Sequence, residues 1–157
     1  MGTLARVSLG HEFVTDVVQV EFHLAPPPVD IEKDYSGLGL GIATALLEGM
    51  AEVVDVPSVD LNVTIGRGGS AGLPIIVLYD AVPGGAGLVG HIEDGKVFRM
   101  SLEAAYRRVE GNCGCGEDKS CYGCLRSYRN QFAHTQFRRG SVKQYIGSVL
   151  DHWKMSP

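Results

Sequence analysis

Between His11 and Leu24 apolar and polar side chains alternate, with Val14, Val18, Val20, Phe22 and Leu24 on one face and Thr15, Gln19, Glu21 and His23 on the other. That period of two predicts a half-buried strand. Asp16 breaks the apolar parity, and Pro26, Pro27 and Pro28, which lack the amide donor, end any ladder before a loop to about Ser36. From Leu38 to about Val54 the period changes: Leu38, Ile42, Ala45, Leu46, Met50 and Val53 recur at three- and four-residue spacing, which predicts a helix. Its glycines weaken the first turns and permit close packing against a neighbour.

Leu61 to Ile65 reads as a short strand, and Gly66, Gly68, Gly69 and Gly72 as a flexible loop. The nearly continuous apolar, β-branched run Leu73–Tyr79 predicts a central strand buried on both faces. Asp80 and the turn Pro83-Gly84-Gly85-Ala86-Gly87 follow it, then Leu88, Val89 and Ile92 at helical spacing. Ser101 is placed to cap a helix running to about Val109, with Leu102, Ala105 and Val109 inward and Arg107 and Arg108 exposed. Further helical patterns cover about Tyr122–Phe132 and about Ser141–Trp153. This order predicts one α/β domain over residues 1–157, with α+β also compatible. It would hold a small mixed sheet with packed helices and a C-terminal helical segment organised by cysteines.

Composition adds exclusions. With 157 residues the chain holds one sizeable core. Apolar residues at 45% and charged residues at 20% argue against a disordered or fibrous chain. No uninterrupted apolar run approaches the roughly 18 to 20 residues of a bilayer span, and the N-terminus lacks the pattern of a signal peptide. The expected location is therefore cytoplasmic.

Charge changes the picture more. The formal net charge of -4 hides a division. Residues 1–95 carry three basic and thirteen acidic side chains, whereas residues 96–143 carry ten basic and four acidic, a net +6. An acidic body with a basic end is compatible with phosphate recognition, and equally with a solvated surface balanced by acidic neighbours.

The basic stretch contains all four cysteines, Cys113, Cys115, Cys121 and Cys124, in the pattern Cys-x-Cys-x5-Cys-x2-Cys. In a reducing compartment such a cluster reads as a metal site rather than as disulfides. Four thiolates complete a closed structural zinc site, and Gly114, Gly116 and Gly123 allow the tight turns that short spacers demand. An iron–sulfur cluster uses the same ligands and stays open as an alternative. His134 is a rival ligand that four cysteines make unnecessary. After the cluster, Arg126, Arg129, Arg138, Arg139 and Lys143 interleave with Tyr122, Tyr128, Phe132 and Phe137. Guanidinium groups suit phosphate and aromatic rings suit unpaired bases, so single-stranded DNA is the candidate partner.

The turn at Pro83–Gly87 lies where many α/β proteins bind phosphate, but Gly-x-x-x-x-Gly-Lys-[Ser/Thr] is absent, which argues against ATP binding of that type. A tight crossover with Asp80 as its cap is the simpler account.

Three stretches carry a family resemblance: Gly10-His11-Glu12-Phe13-Val14-Thr15-Asp16, then Leu78 through Gly87, then the cysteine cluster running into Leu125-Arg126-Ser127-Tyr128-Arg129-Asn130-Gln131. Over about residues 8–150 the chain resembles the MrfA-type zinc-binding domain. That domain of unknown function follows the motor of superfamily 2 DNA helicases and has a relative in the helicase-partner protein of the DISARM anti-phage system. The resemblance implies zinc on Cys113, Cys115, Cys121 and Cys124 and no ATP hydrolysis within this domain. A helicase core does not fit in 157 residues, so the motor is expected on another domain or subunit.

The leading expectation is a non-catalytic accessory module of a helicase, acting in DNA repair or phage defence and contacting DNA or the motor. A protein-docking module without DNA contact is the alternative. An enzyme acting on phosphodiesters through Asp80, His91 or His134 ranks last, because no nucleophile, base and orienting group assemble from the spacing.

Overall fold

The structure, a computed structural model, describes residues 12–26 and 35–155. His11, Gly10, Pro27 and Pro28 lie outside the described residues. Strand β1 (Val17–Val20), helix α1 (Ser36–Val54), strands β2 (Leu61–Gly66) and β3 (Ile75–Asp80), and helices α2 (Gly95–Val109) and α3 (Arg139–Met155) follow in that order. Short 3-10 segments occupy Ser58–Asp60, Ser70–Gly72, Val89–Glu93 and Tyr128–Gln136.

The mixed α/β class expected from the sequence holds, and β3 is the central strand of a sheet ordered β1-β3-β2. Both described pairings are antiparallel, with Val18 opposite Leu78 and Val63 opposite the same residue. The sheet is therefore antiparallel where mixed pairing was expected, because no crossover helix joins adjacent strands. Nor is β3 buried on both faces. Ile76, Leu78 and Asp80 are buried while the alternate residues Ile75, Val77 and Tyr79 are only half covered, since helices pack on one side alone.

Helix α1 lies over the buried face and is the centre of the core, with Ile42, Leu46 and Met50 fully buried. By length and composition it is apolar enough to cross a membrane, yet 67% of that window is buried inside the protein. Its glycines are points of close approach. A Cβ on Gly49 would stand 2.3 Å from the carbonyl oxygen of Ser101 on α2, and one on Gly41 would stand 2.6 Å from Val142 on α3. The C-terminal helix is anchored by Tyr145, whose hydroxyl donates to the carbonyl of Leu24 at 2.7 Å.

Several boundaries differ from the periodicity. The strand predicted over His11–Leu24 is paired only at Val17–Val20. Before it, Val14 and Asp16 hold the glycine turn through backbone carbonyls, which accept from Gly84 and from Asp80. Helix α2 begins at Gly95 because Asp94 caps it, accepting from the amides of Lys96 and Val97. Ser101 lies inside the helix and donates to the carbonyl of Val97 instead. The helix expected over Tyr122–Phe132 is replaced by a turn and the 3-10 segment. There the Cys121 carbonyl gathers the amides of Cys124, Leu125 and Arg126, and Ser127 is extended at φ -140° and ψ 168°.

Candidate metal centre and basic face

The cysteine loop spans the gap between α2 and the 3-10 segment before α3. Its turns are fixed by backbone bonds from Gly114 to Gly111 and from Lys119 to Gly116, and Gly114 takes a φ of +80° that a side chain would disfavour. These turns bring the four sulfurs within 4.8 Å of one another. Cys113 and Cys115 Sγ are 3.5 Å apart, and Cys124 Sγ is 3.8 Å from both Cys115 and Cys121 Sγ. A tetrahedron with Zn–S bonds of about 2.3 Å has an edge of about 3.8 Å. The cluster therefore fits one zinc ion, and it is too compact for a core of several irons, which would spread the thiolates apart. None of the four is in a disulfide.

The chain supports this cage from outside. The amide of Cys121 donates to Cys124 Sγ at 3.2 Å. A Cβ on Gly123 would meet Cys113 Cβ at 2.9 Å, so the two halves of the loop close only over a glycine. Arg108 Nε donates to the Cys124 carbonyl at 2.7 Å. The thiols are electrically unequal. Hydrogen bonding from the Cys115 amide, followed by the neighbouring thiols, lowers Cys113 to about 7. Burial pushes Cys124 up to about 12. Burial, then the Cys113 and Cys121 thiols, raise Cys115, with Cys124 and, less strongly, the Arg139 guanidinium acting against them. A bound divalent cation reverses such burial penalties, and its binding releases protons from the set.

His134 is not part of the cage. Its Nε2 lies 3.0 Å from the Ser127 carbonyl and 2.9 Å from Asn130 Oδ1. Asn130 Oδ1 already accepts from the Ser127 amide, so both partners are acceptors and Nε2 carries the proton. The ring serves the 3-10 segment and stacks edgewise on Tyr122.

The five basic residues singled out by sequence do not form one surface. Arg139 is 5% exposed and points inward, donating to the carbonyls of Val109 and Cys115. Arg129 clasps the entry to β2 by donating to the carbonyls of Leu61, its first residue, and of Ser58 in the preceding 3-10 segment. Arg126 donates Nε to Ser120 Oγ. Arg138 and Lys143 sit half-buried on and beside α3, Lys143 on a groove shared with Tyr106 and Glu117. Three aromatic side chains in and after the cysteine loop are exposed, Tyr122 62%, Tyr128 84% and Phe132 74%, whereas Phe137 is core.

The glycine turn has an internal occupant. Asp80 is fully buried. Its Oδ2 accepts from the amides of Ala86 at 2.6 Å and Leu88 at 3.0 Å, and its Oδ1 accepts from Val89 at 2.9 Å. Asp16 Oδ2 takes the Gly87 amide at 2.9 Å. The amides that would have cradled a phosphate thus bind the protein's own carboxylates, and Gly84, Gly85 and Gly87 supply the positive φ angles that aim them. Burial raises Asp80, but the backbone donors outweigh it and hold the group below its ordinary range. Asp80 and His134 are thereby committed to the fold. Arg108 and Asp16 carry support roles that their spacing did not signal.

A small antiparallel sheet covered by helices, with a four-thiolate, single-ion cage closing its C-terminal half, defines a structural zinc domain. The chain belongs to the family described as the MrfA Zn-binding domain, which matches residues 42–125 and ends immediately after the last cysteine. Among solved structures it is similar to the DUF1998 helicase MrfA in its crystal structure bound to DNA, with 26% identity and a TM-score of 0.50. That likeness covers 82% of this chain and 16% of the helicase chain. No curated protein matches the chain.

Proposed function

We propose that this chain is a non-catalytic accessory domain of a superfamily 2 DNA helicase system, in which one zinc ion on Cys113, Cys115, Cys121 and Cys124 builds a face that contacts DNA. The four sulfurs at tetrahedral spacing carry the metal assignment. When bound, zinc supplies rigidity and no open coordination position, so the loop is folded by the metal rather than made reactive by it.

The DNA reading rests on the net +6 of residues 96–143 and on the exposed side chains of Tyr122, Tyr128 and Phe132 in and after the cysteine loop. Arg126, Arg138 and Lys143 are its phosphate contacts, with Arg129 contributing where its guanidinium edge reaches solvent. Arg139 is left out because its guanidinium is held inside. Aromatic side chains this exposed suit unpaired bases, which makes single strands the preferred substrate. The setting proposed for this role is DNA repair or anti-phage defence in the cytoplasm.

The test is fluorescence anisotropy of a single-stranded oligonucleotide titrated with the zinc-loaded chain at several salt concentrations. Arg138→Ala with Lys143→Ala should weaken binding and flatten the salt slope by about 0.7 per lost phosphate contact. Equal affinity and slope in the variant would reject these contacts. Salt-insensitive capture of a helicase motor, with no affinity for oligonucleotides, would instead establish the docking alternative.

A further inference from the structure

Arg139 is a buried cation in search of a counter-charge. Among the described residues the ion pairs are Arg99 with Glu103, Arg107 with Glu52 and Lys154 with Asp151, and no carboxylate pairs with Arg139. Its two terminal nitrogens donate to the carbonyls of Val109 and Cys115, and its Nε is buried without a partner. Guanidinium stays protonated at any working pH, so it cannot escape burial by neutralising. A buried charge with neutral partners alone is costly, and one facing an opposite charge is not.

The opposite charge is one loop away. Four thiolates on a divalent ion carry a net -2, and Cys115, whose carbonyl Arg139 holds, is one of the four. We propose that Arg139 is the resident counter-ion of the metal centre and that its charge, acting through Cys115, holds the zinc-loaded cage against α2 and the start of α3. This inference rests on the zinc assignment above.

The surrounding backbone fits that role. The Val109 carbonyl is at the end of α2, where the helix dipole favours a cation. The amides of Arg139 and Gly140 donate to the carbonyls of Lys119 and Glu117, so the first residues of α3 are laced to the cysteine loop from both sides. Gly111, at φ +117°, leaves the space that the guanidinium fills, since a Cβ there would stand 3.0 Å from one of its terminal nitrogens. Arg139 thereby joins three segments at the edge of the cage, and loss of the metal, with the freed thiolates taking up protons, would leave it unpaired in place.

The experiment measures zinc affinity of the full chain by competition with a chromophoric chelator, alongside elemental analysis and thermal melts before and after zinc removal. Arg139→Met keeps the length of the apolar stem and removes the charge, and it should weaken zinc binding by about tenfold or more, the effect expected of an outer partner of a metal ligand. Arg139→Lys keeps the charge and loses the fork, and it should stay within a few-fold of the wild type. A purely structural arginine would lower the melting temperature of loaded and stripped protein alike and leave zinc affinity unchanged, which overturns the proposal. Equal losses in R139K and R139M would also overturn it, because geometry rather than charge would then be responsible. Should R139M fail to fold, Arg139→Gln, which removes the charge and keeps a side-chain donor, takes its place, a tenfold loss of zinc affinity supporting the proposal and wild-type affinity overturning it. A wild-type chain that binds no zinc rejects the metal assignment itself, and that failure is read from the elemental analysis independently of any variant.

Discussion

Replacing Asp80 with asparagine tests the account of the glycine turn. The substitution preserves shape and one side-chain oxygen. That oxygen is best used at the Oδ2 position, where it still accepts from Ala86 and Leu88. The amide nitrogen then faces the Val89 N–H across what was a 2.9 Å hydrogen bond, so two donors meet. One buried donor left without an acceptor costs about 1–3 kcal/mol. The two surviving bonds lose their charge assistance, which about halves their strength. Together these predict a loss of about 2–4 kcal/mol, a large share of the roughly 5–15 kcal/mol that holds a domain folded. At about 2–4 °C per kcal/mol for a chain of this size, the melting temperature should fall by roughly 4–16 °C.

Acidity gives a second readout of the same substitution. Backbone donors hold the folded Asp80 below its ordinary value against the opposing effect of burial. Its contribution is therefore complete above the unfolded value of about 3.9 and is lost as pH falls through the lower folded value. The stability gap between wild type and D80N should be constant near neutrality and shrink below about pH 4. Urea denaturation at a series of pH values reads both effects. A loss under about 1 kcal/mol at pH 7, or a gap that widens in acid, would refute the anionic clasp.

Two further substitutions probe the packing that carries the site. Gly49→Ala adds a methyl 2.3 Å from the Ser101 carbonyl and 2.7 Å from the Ala105 amide; overpacking of about 1–3 kcal/mol should outweigh about 1 kcal/mol of gained helix propensity. A lower urea midpoint with an unchanged slope is expected, and a raised midpoint would contradict the close crossing of α1 and α2. Tyr145→Phe removes the bond to the Leu24 carbonyl and should cost about 1 kcal/mol in a thermal melt. The same variant should abolish the tyrosine titration that burial pushes up to about 12, and an unchanged high-pH absorbance change would show that another tyrosine is responsible.

The elements legible in the sequence are those whose causes are local. A short apolar stretch located β2, a continuous β-branched run located β3, and three- and four-residue spacing located α1 and α3, each to within a few residues, because these signals are local to the segment that carries them. The start of α2 was missed for a local reason as well: Asp94 and Ser101 are both capable caps, and only Asp94 precedes free amides. The cysteine set was legible for the same reason, since all four sulfurs come from one short loop whose glycine-assisted turns need no distant partner. Asp80 as a cap belongs here too, as its donors lie six to nine residues ahead.

Long-range partners were decided by the tertiary structure alone. Arg129 and Arg139 are equivalent to Arg138 in composition and neighbourhood, yet one clasps Leu61 and Ser58, 68 and 71 positions away, and another enters the protein beside the cage. Nothing in a charge pattern tells a guanidinium that reaches a distant carbonyl from one that meets solvent, because carbonyl acceptors occur at every residue and leave no mark in the sequence. Antiparallel pairing on both sides of β3 is of the same kind. The alternation of each strand fixes which face is apolar, but the direction in which strands meet depends on how helices packed over one face return the chain to the sheet. Sequence therefore specified the ligand set and the periodic elements, and packing selected which charges face outward and which one is enclosed beside the thiolates.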